Sequence, residues 1–326
     1  MPDESIKNRW DGPFTRQATV EDIYYCFRLL LGRPPNPEEW LGHSSRVGED
    51  LGSVVASYVT SLEFARRQLD RRNLLADLTL CSLDGFSLYA TPNDLDVGKH
   101  IALGGSYEPG VTAIFRRFLK PGMGVLDVGA NIGYFSMLAA SLVGPKGHVL
   151  AVEPNPQNMK LLEASRRANS FSQVTTALCA AARATGLLML NASHSNGTTY
   201  ALFDELDAML SAQTVPAFRL DDLVGAERPV DFLKIDVEGA EYNALDGFRA
   251  GLARCHPLIV SEFSPDFMKG ISGVAGEDYL RLLIAAGYAL SVIHQDGSTE
   301  DCGGDSAAVM AAYARHGADH IDILAQ

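Results

Sequence analysis

The chain has 326 residues, 47% hydrophobic and 21% charged, which is enough apolar material for one large α/β domain and a smaller module. Its 27 Lys and Arg against 40 Asp and Glu leave a formal charge of −13, which argues against a nucleic-acid backbone as partner, because phosphate contacts need clustered cations. Five scattered cysteines, with no CxxC pair, encode neither a zinc site nor a disulfide framework. Their use fits a reducing cytoplasm. No apolar run reaches the ~18 residues of a membrane span, and the polar start MPDESIKNRWDGPF lacks the apolar stretch of a signal peptide. A cytoplasmic location is the expectation.

Residues 1–17 read as a polar tail. Thr19-Val-Glu-Asp22 has the form of a capping box, and Ile23, Phe27, Leu30 and Leu31 follow at helical spacing. Gly32-Arg33-Pro34-Pro35 stops that helix, and Asn36-Pro37-Glu38-Glu39 reads as the cap and first turn of a second. A third is expected from about Leu51 to Leu69. Residues 18–73 thus form a small helical module without a catalytic constellation, which either docks a protein or carrier partner or caps the main domain. Residues 74–120 carry a β-hairpin about Leu83-Asp84-Gly85 and a linking helix from Val111 to Leu119, both packed on the catalytic domain. The basic pair Arg116-Arg117 reads as a solvated helix face.

From 121 to 326 strand and helix alternate, which predicts a mostly parallel, doubly wound, Rossmann-like sheet with right-handed crossovers. Strands are expected at 124–128, 148–153, 173–179, 231–236, 257–262, 287–293 and 320–325. That makes seven, the last pair antiparallel through a hairpin. No heptad or interface stripe marks an oligomer, so a homo-oligomer stays open.

Residues 125–135 read VLDVGANIGYF, a strand running into a turn that opens a helix. A dinucleotide turn would place its second glycine where Asn131 stands, which disfavours a nicotinamide oxidoreductase. Gly129 lets the backbone pass close to a nucleoside, and Asp127 stands at the strand's carboxyl end. Glu153 ends the next strand, where an acid can take both hydroxyls of a ribose. Residues 232–241 read FLKIDVEGAE and deliver Lys234, Asp236 and Glu238 to a strand end, with Glu241 on the helix that follows. So many carboxylates together need a reason, because like charges raise each other's cost.

Together with AVEPNPQNMKLLEASRRAN and LIVSEFSP, these blocks closely resemble the FkbM family of S-adenosylmethionine-dependent methyltransferases over about residues 100–262. The resemblance implies a Rossmann-like methyltransferase sheet and S-adenosyl-L-methionine as cofactor. It implies that Tyr107 and Glu108, in GGSYEPG, close over the methionine end. Asp127, Gly129, Asn131 and Gly133 match the first cofactor motif, Glu153 the ribose-binding acid, and Pro154-Asn155-Pro156 the turn after it. The adenine is expected near Leu178 to Ala181, although CAAA there departs from the small-polar or acidic group of relatives. Asp236 falls beside the transferred methyl. LLLGRPPNPEEW and YVTSLEF, within residues 18–68, resemble a bacterial helical module of unknown function, distantly similar to phycobilisome-linker-like domains, that often accompanies glycan-modifying enzymes.

Methyl transfer is an in-line displacement that depends on positioning, and an alcohol acceptor must also lose its proton. Asp236 is the leading candidate to orient the acceptor or act as base. Lys234, two residues earlier on the same strand face, pairs with Asp236 or a neighbouring carboxylate, in a catalytic or a structural role. Glu238 lies nearer the site than Glu241, which suits the positive end of the helix dipole. Asp236 and Glu262, at adjacent strand ends, could hold a divalent cation such as Mg2+, as in metal-dependent catechol-type methyltransferases; alternatively Glu262 hydrogen-bonds substrate without metal. The polar, glycine-containing loop from Asn191 to Thr199 is placed to lie over the active site, and its His194 is either a second base or a solvated loop histidine. The expected activity is O-methylation of a small molecule, most plausibly a sugar, glycan or natural-product hydroxyl. The alternatives are a carboxyl- or N-methyltransferase, or a catalytically idle scaffold.

Overall fold

The computed structural model describes residues 16–67, 77–192, 195–201 and 213–326. The chain divides into two compact units, Met1–Ala76 and Asp77–Gln326. The expected boundary at 73/74, most of the expected polar tail, Leu69 and His194 lie outside the described residues. No helix among them is long and apolar enough to cross a membrane.

In the first unit both capping boxes form. Thr19 starts helix α1 (Val20–Tyr25), which runs into a π-helical turn at Cys26–Leu30. Asn36 starts α2 (Pro37–Ser44), with Glu39 reaching back to the cap. The single third helix expected from Leu51 is two, α3 (Leu51–Val59) and α4 (Leu62–Arg67). The break has a local cause. Thr60 Oγ1 donates to the Ala56 carbonyl at 2.7 Å, and Ser61 Oγ accepts the Phe64 N–H at 3.1 Å, which starts a new helix. Ile23, Phe27, Val54 and Tyr58 fill this unit's core.

The second unit begins with the expected hairpin, β1 (Thr79–Leu83) and β2 (Phe86–Ala90), turning at Gly85 with φ +95°. Two helices follow, α5 (Gly98–Gly104) and α6 (Pro109–Phe118). The chain then alternates as β3 (Gly124–Val128), α7 (Tyr134–Val143), β4 (His148–Glu153), α8 (Pro156–Ala168) and β5 (Val174–Leu178). The backbone of β2 is tied to α8, because Ser87 and Tyr89 donate their N–H groups to Asn169 Oδ1 and Ser165 Oγ.

A small sheet interrupts the alternation. It is built from β6 (Ala180–Ala181), β7 (Gly186–Ala192), β8 (Gly197–Tyr200) and β9 (Gln213–Phe218) in the order β6-β9-β7-β8. After α9 (Leu220–Val224) the main sheet resumes with β10 (Phe232–Ile235), α10 (Glu241–Asp246), α11 (Arg249–Cys255) and β11 (Leu258–Phe263). Then come α12 (Pro265–Ile271), α13 (Gly276–Ala285), β12 (Leu290–Ile293), β13 (Thr299–Gly303), α14 (Ser306–His316) and β14 (Ile321–Ala325).

The main sheet has eight strands in the order β13-β12-β14-β11-β10-β3-β4-β5. It is the doubly wound α/β sheet expected, with one strand more. The final pairing of β12 with β14 is antiparallel, but no hairpin joins them. The hairpin leads from β12 to β13, and α14 carries the chain back to insert β14 between β11 and β12. β13 (TEDCG) was invisible to apolar patterning because it is a polar edge strand with only Cys302 buried. Side chains alternate between two cores: Val125 packs on the face of α7, Leu126 and Val128 on the other. The strand order reverses between β3 and β10, and at such a switch point the strand ends leave a crevice.

Candidate active site

A cleft opens at that switch point, where open α/β sheets bind their ligands. Gly129 makes it possible. Its φ is +81°, and a Cβ would collide with the Asp236 carbonyl oxygen, so β3 and β10 end in contact only because residue 129 has no side chain. Asn131 follows with φ +50°, unusual for a residue with a side chain. Three hydrogen bonds hold it: its N–H donates to Glu153 Oε2 at 2.8 Å, its Nδ2 to Asn196 Oδ1 at 3.0 Å, and its Oδ1 accepts the Ile132 N–H at 2.7 Å.

Glu153 is buried at the end of β4, where Oε1 also accepts from the Asn155 N–H and Asn158 Nδ2. Burial pushes its carboxyl up to about 7 against those bonds. The second strand end is held by charge. Lys234 is 4% exposed; its Nζ lies 2.8 Å from Asp236 Oδ2 and 4.8 Å from the centre of the Phe135 ring. Burial works against the ammonium, but Asp236, Glu108 and Asp127 outweigh it and hold the group charged. The ion pair foreseen for Lys234 therefore forms.

Around this one ammonium stands a surplus of acids. Asp127 is 1% exposed; Ser136 Oγ donates to Oδ2 at 2.5 Å, while Oδ1 is buried without a partner. Glu108 starts α6 in the left-handed region, φ +39°, and burial pushes it up to about 8 against the pull of Lys234. Burial and then Asp236 raise Glu238 to about 7, Asp322 to about 6 and Glu262 well above the usual carboxylate range.

Of the residues singled out in the sequence, Tyr107, Gly129, Asn131, Glu153, Pro154, Lys234, Asp236, Glu238 and Glu262 line the cleft. Cys179, Ala180 and Ala181 line it as well, where the adenine was expected. Glu108, Asp127, Gly133 and Asn155 do not line it; Gly133 instead starts α7 with φ +99°, and Asn155 caps α8.

The polar loop at 191–199 was expected to lie over the active site, and its Ser195 and Asn196 line the cleft, whereas Asp322 was missed and Glu241 underread. Ser195 and Asn196 form part of the wall because Asp94 Oδ1 and Asp96 Oδ2 accept their N–H groups from a hundred residues away. Asp322 was a legible signal, an acid inside the apolar strand IDILA, and it faces Glu262 directly across the antiparallel pair. Glu241, read from sequence as a helix-dipole acid, is 1% exposed, and its Oε1 accepts the N–H groups of Val237 and Gly239.

The chain matches the Methyltransferase FkbM domain family over residues 127–290, about half its length. It is similar to a methyltransferase FkbM structure from Methylobacillus flagellatus KT at 15% identity and a TM-score of 0.41, covering 93% of this chain and 58% of that one. A precorrin-6y C5,15-methyltransferase from Geobacter metallireducens GS-15 aligns at 15% identity and a TM-score of 0.37, over 73% of this chain and 92% of that one. A protein-L-isoaspartate O-methyltransferase from Methanothrix thermoacetophila is 49% identical over 49 residues, 15% of this chain. The chain thus spans 22% of that curated relative's length and 58% of the first structure's.

Proposed function

We propose that this chain, which belongs to the FkbM methyltransferase family, methylates a hydroxyl oxygen of an uncharged, hydroxyl-rich small molecule such as a sugar, a glycan or a natural product. Residues 127–290 make up an S-adenosylmethionine-dependent methyltransferase domain. The observation that carries the reading is the convergence on one cleft of Gly129, Glu153 and the Lys234–Asp236 pair, with more carboxyl groups than cations around them. An excess of acid suits a cationic cofactor, and the buried, unpartnered Asp127 Oδ1 is an acceptor that an ammonium group would satisfy. Glu153 sits where ribose hydroxyls would meet an acid, and Cys179 to Ala181 leave a small apolar floor for a base.

When bound, the cofactor supplies a methyl carbon on a sulfonium sulfur, which departs as a neutral thioether. The chain's own groups must align the acceptor oxygen and take its proton. Asp236, fixed at 2.8 Å by Lys234, is the carboxylate best held for that task. The same acids repel an anionic acceptor, which disfavours carboxyl methylation. The cleft continues past Glu238 into a recess lined by Asn191, Asn196 and Thr198. These amide and hydroxyl groups both donate and accept, as binding of several hydroxyls in a sugar-like acceptor requires. Calorimetry with S-adenosylhomocysteine tests cofactor binding, and label transfer from S-adenosylmethionine to a panel of hydroxylated, carboxylic and amine acceptors tests the rest. Micromolar binding with label on hydroxylated acceptors is the expected result. No binding leaves a scaffold, and label only on carboxylates or amines moves the acceptor class.

A further inference from the structure

The acids at the end of β10 do more than accept a proton. Among the described residues, one ligand oxygen each from Asp236, Glu241 and Glu262 lies within 4.8 Å of the other two. Three carboxylates at that separation repel strongly, and most of their neighbours worsen matters: Glu262 faces Asp322 across the sheet, and like charges directly opposed destabilise a strand pair. Lys234 engages Oδ2 of Asp236 alone within the triad.

A second observation is independent of the charge count. Glu241 is 1% exposed; its Oε1 is occupied by the backbone turn, and its Oε2 is buried with no hydrogen-bond partner. A buried carboxylate oxygen without a donor is an acceptor awaiting one. The Glu262 carboxylate makes no hydrogen bond among the described residues either. Oxygens that share one ion at ~2.3–2.6 Å, the Ca2+ range, are at most roughly 5 Å apart, whereas the ~2.0–2.1 Å bonds of Mg2+ demand a tighter set. Separations bounded at 4.8 Å are short enough for the three oxygens to share an ion of Ca2+ size.

We propose that Asp236, Glu241 and Glu262 form a binding site for a divalent cation of Ca2+ or Mn2+ size, with water or an acceptor oxygen completing its shell. The site deepens the reading of this cleft as the place of methyl transfer and rests on it for its purpose: an acceptor oxygen bound to the ion is oriented and loses its proton more readily. Glu241 becomes a ligand presented by its own turn, and Lys234 and the ion flank Asp236 from its two oxygens.

Mn2+ titrated into the full chain after chelation, followed by loss of the free-ion electron paramagnetic resonance signal, tests this. One Mn2+ per chain is expected, displaced by Ca2+, and weakened roughly tenfold or more in Glu262→Gln and in Glu241→Gln, as loss of a charged oxygen ligand predicts. Glu241 also organises the Val237 to Gly239 turn, so if its variant misfolds, Glu262→Gln decides alone. No Mn2+ binding at millimolar metal, as when Glu241 and Glu262 simply share a proton, overturns the proposal. So does binding that Glu262→Gln leaves unchanged. S-adenosylhomocysteine calorimetry on the chelated protein keeps the two readings apart. Homocysteine-product binding without Mn2+ binding sinks only the cation, and Mn2+ binding without it sinks only the methyltransferase reading.

Discussion

Two ion-pair systems in this chain look alike on paper and differ physically. In the first unit, Arg33 grips Glu39 and Glu63 with bidentate forks at 2.7–2.8 Å, and all three side chains are a quarter to a third exposed. In the second, Lys234 is buried among Asp127, Asp236 and Glu108 and makes one 2.8 Å contact. Water shares the load around Arg33, so each of its contacts contributes less than a buried one, although the bidentate network lifts the clamp above an ordinary surface pair. Around Lys234, Asp127 and Glu108 are withdrawn from water, and burial raises the pKa of both. A cluster that folding alone leaves unbalanced is one that a cationic ligand completes.

The comparison breaks first at Asp236. Asp236→Asn keeps the shape and removes the base, and should lower kcat by roughly 10²–10⁴-fold while S-adenosylhomocysteine affinity changes only a few-fold. A kcat within a few-fold of the parent would remove Asp236 from the chemistry. Lys234→Met comes next. Stripping the ammonium from buried carboxylates should cost about 3–5 kcal/mol in denaturant unfolding, and a loss close to that of a surface pair would show that the acids sit protonated without it.

The third effect is on pH. Glu153, Glu238 and Glu241 have folded values near 7 against an ordinary 4.5, so the folded chain holds protons that the unfolded chain releases. Their contribution to stability is fully present below about 4.5 and is lost as pH rises through about 7. The ligand-free chain should therefore melt at a lower temperature at about pH 8 than at about pH 5, and a saturating cationic ligand should narrow the gap. A flat profile would contradict the buried-acid picture. Arg33→Met should give the smallest effect, a slight loss of stability in the helical unit with kcat/KM unchanged; a marked fall in turnover would tie that unit to catalysis.

The sequence showed the parts of the site that are local. VLDVGANIGYF and FLKIDVEGAE are buried strands that run straight into their functional ends, so composition and position coincide, and β3 and β10 lie where the pattern placed them. The capping boxes at Thr19 and Asn36 were legible for the same reason, since all their partners lie within four residues. What escaped was assembled at long range. In the small sheet from Ala180 to Phe218, β6 and β8 are two and four residues long and exist through pairing, not pattern, while the apolar run LLML of β7 was not read as a strand. The loop at 191–199 was legible as a cover for the site, but the hold on its Asn196 was not, since Asp96 and Asn131 lie 100 and 65 residues away. Glu241 was underread because a first-turn acid has an ordinary explanation on a helix, and only burial shows that its second oxygen faces no donor.

The insertion of β14 between β11 and β12 has a consequence for biosynthesis. Every other strand of the main sheet leaves the ribosome earlier, yet β11 and β12 are not paired to each other and must wait with open edges for residues 321–325. Asp322 travels on that strand. Closure of the sheet and the arrival of Asp322 opposite Glu262 are therefore one event, and until then those two open edges are where a chaperone would have most to protect.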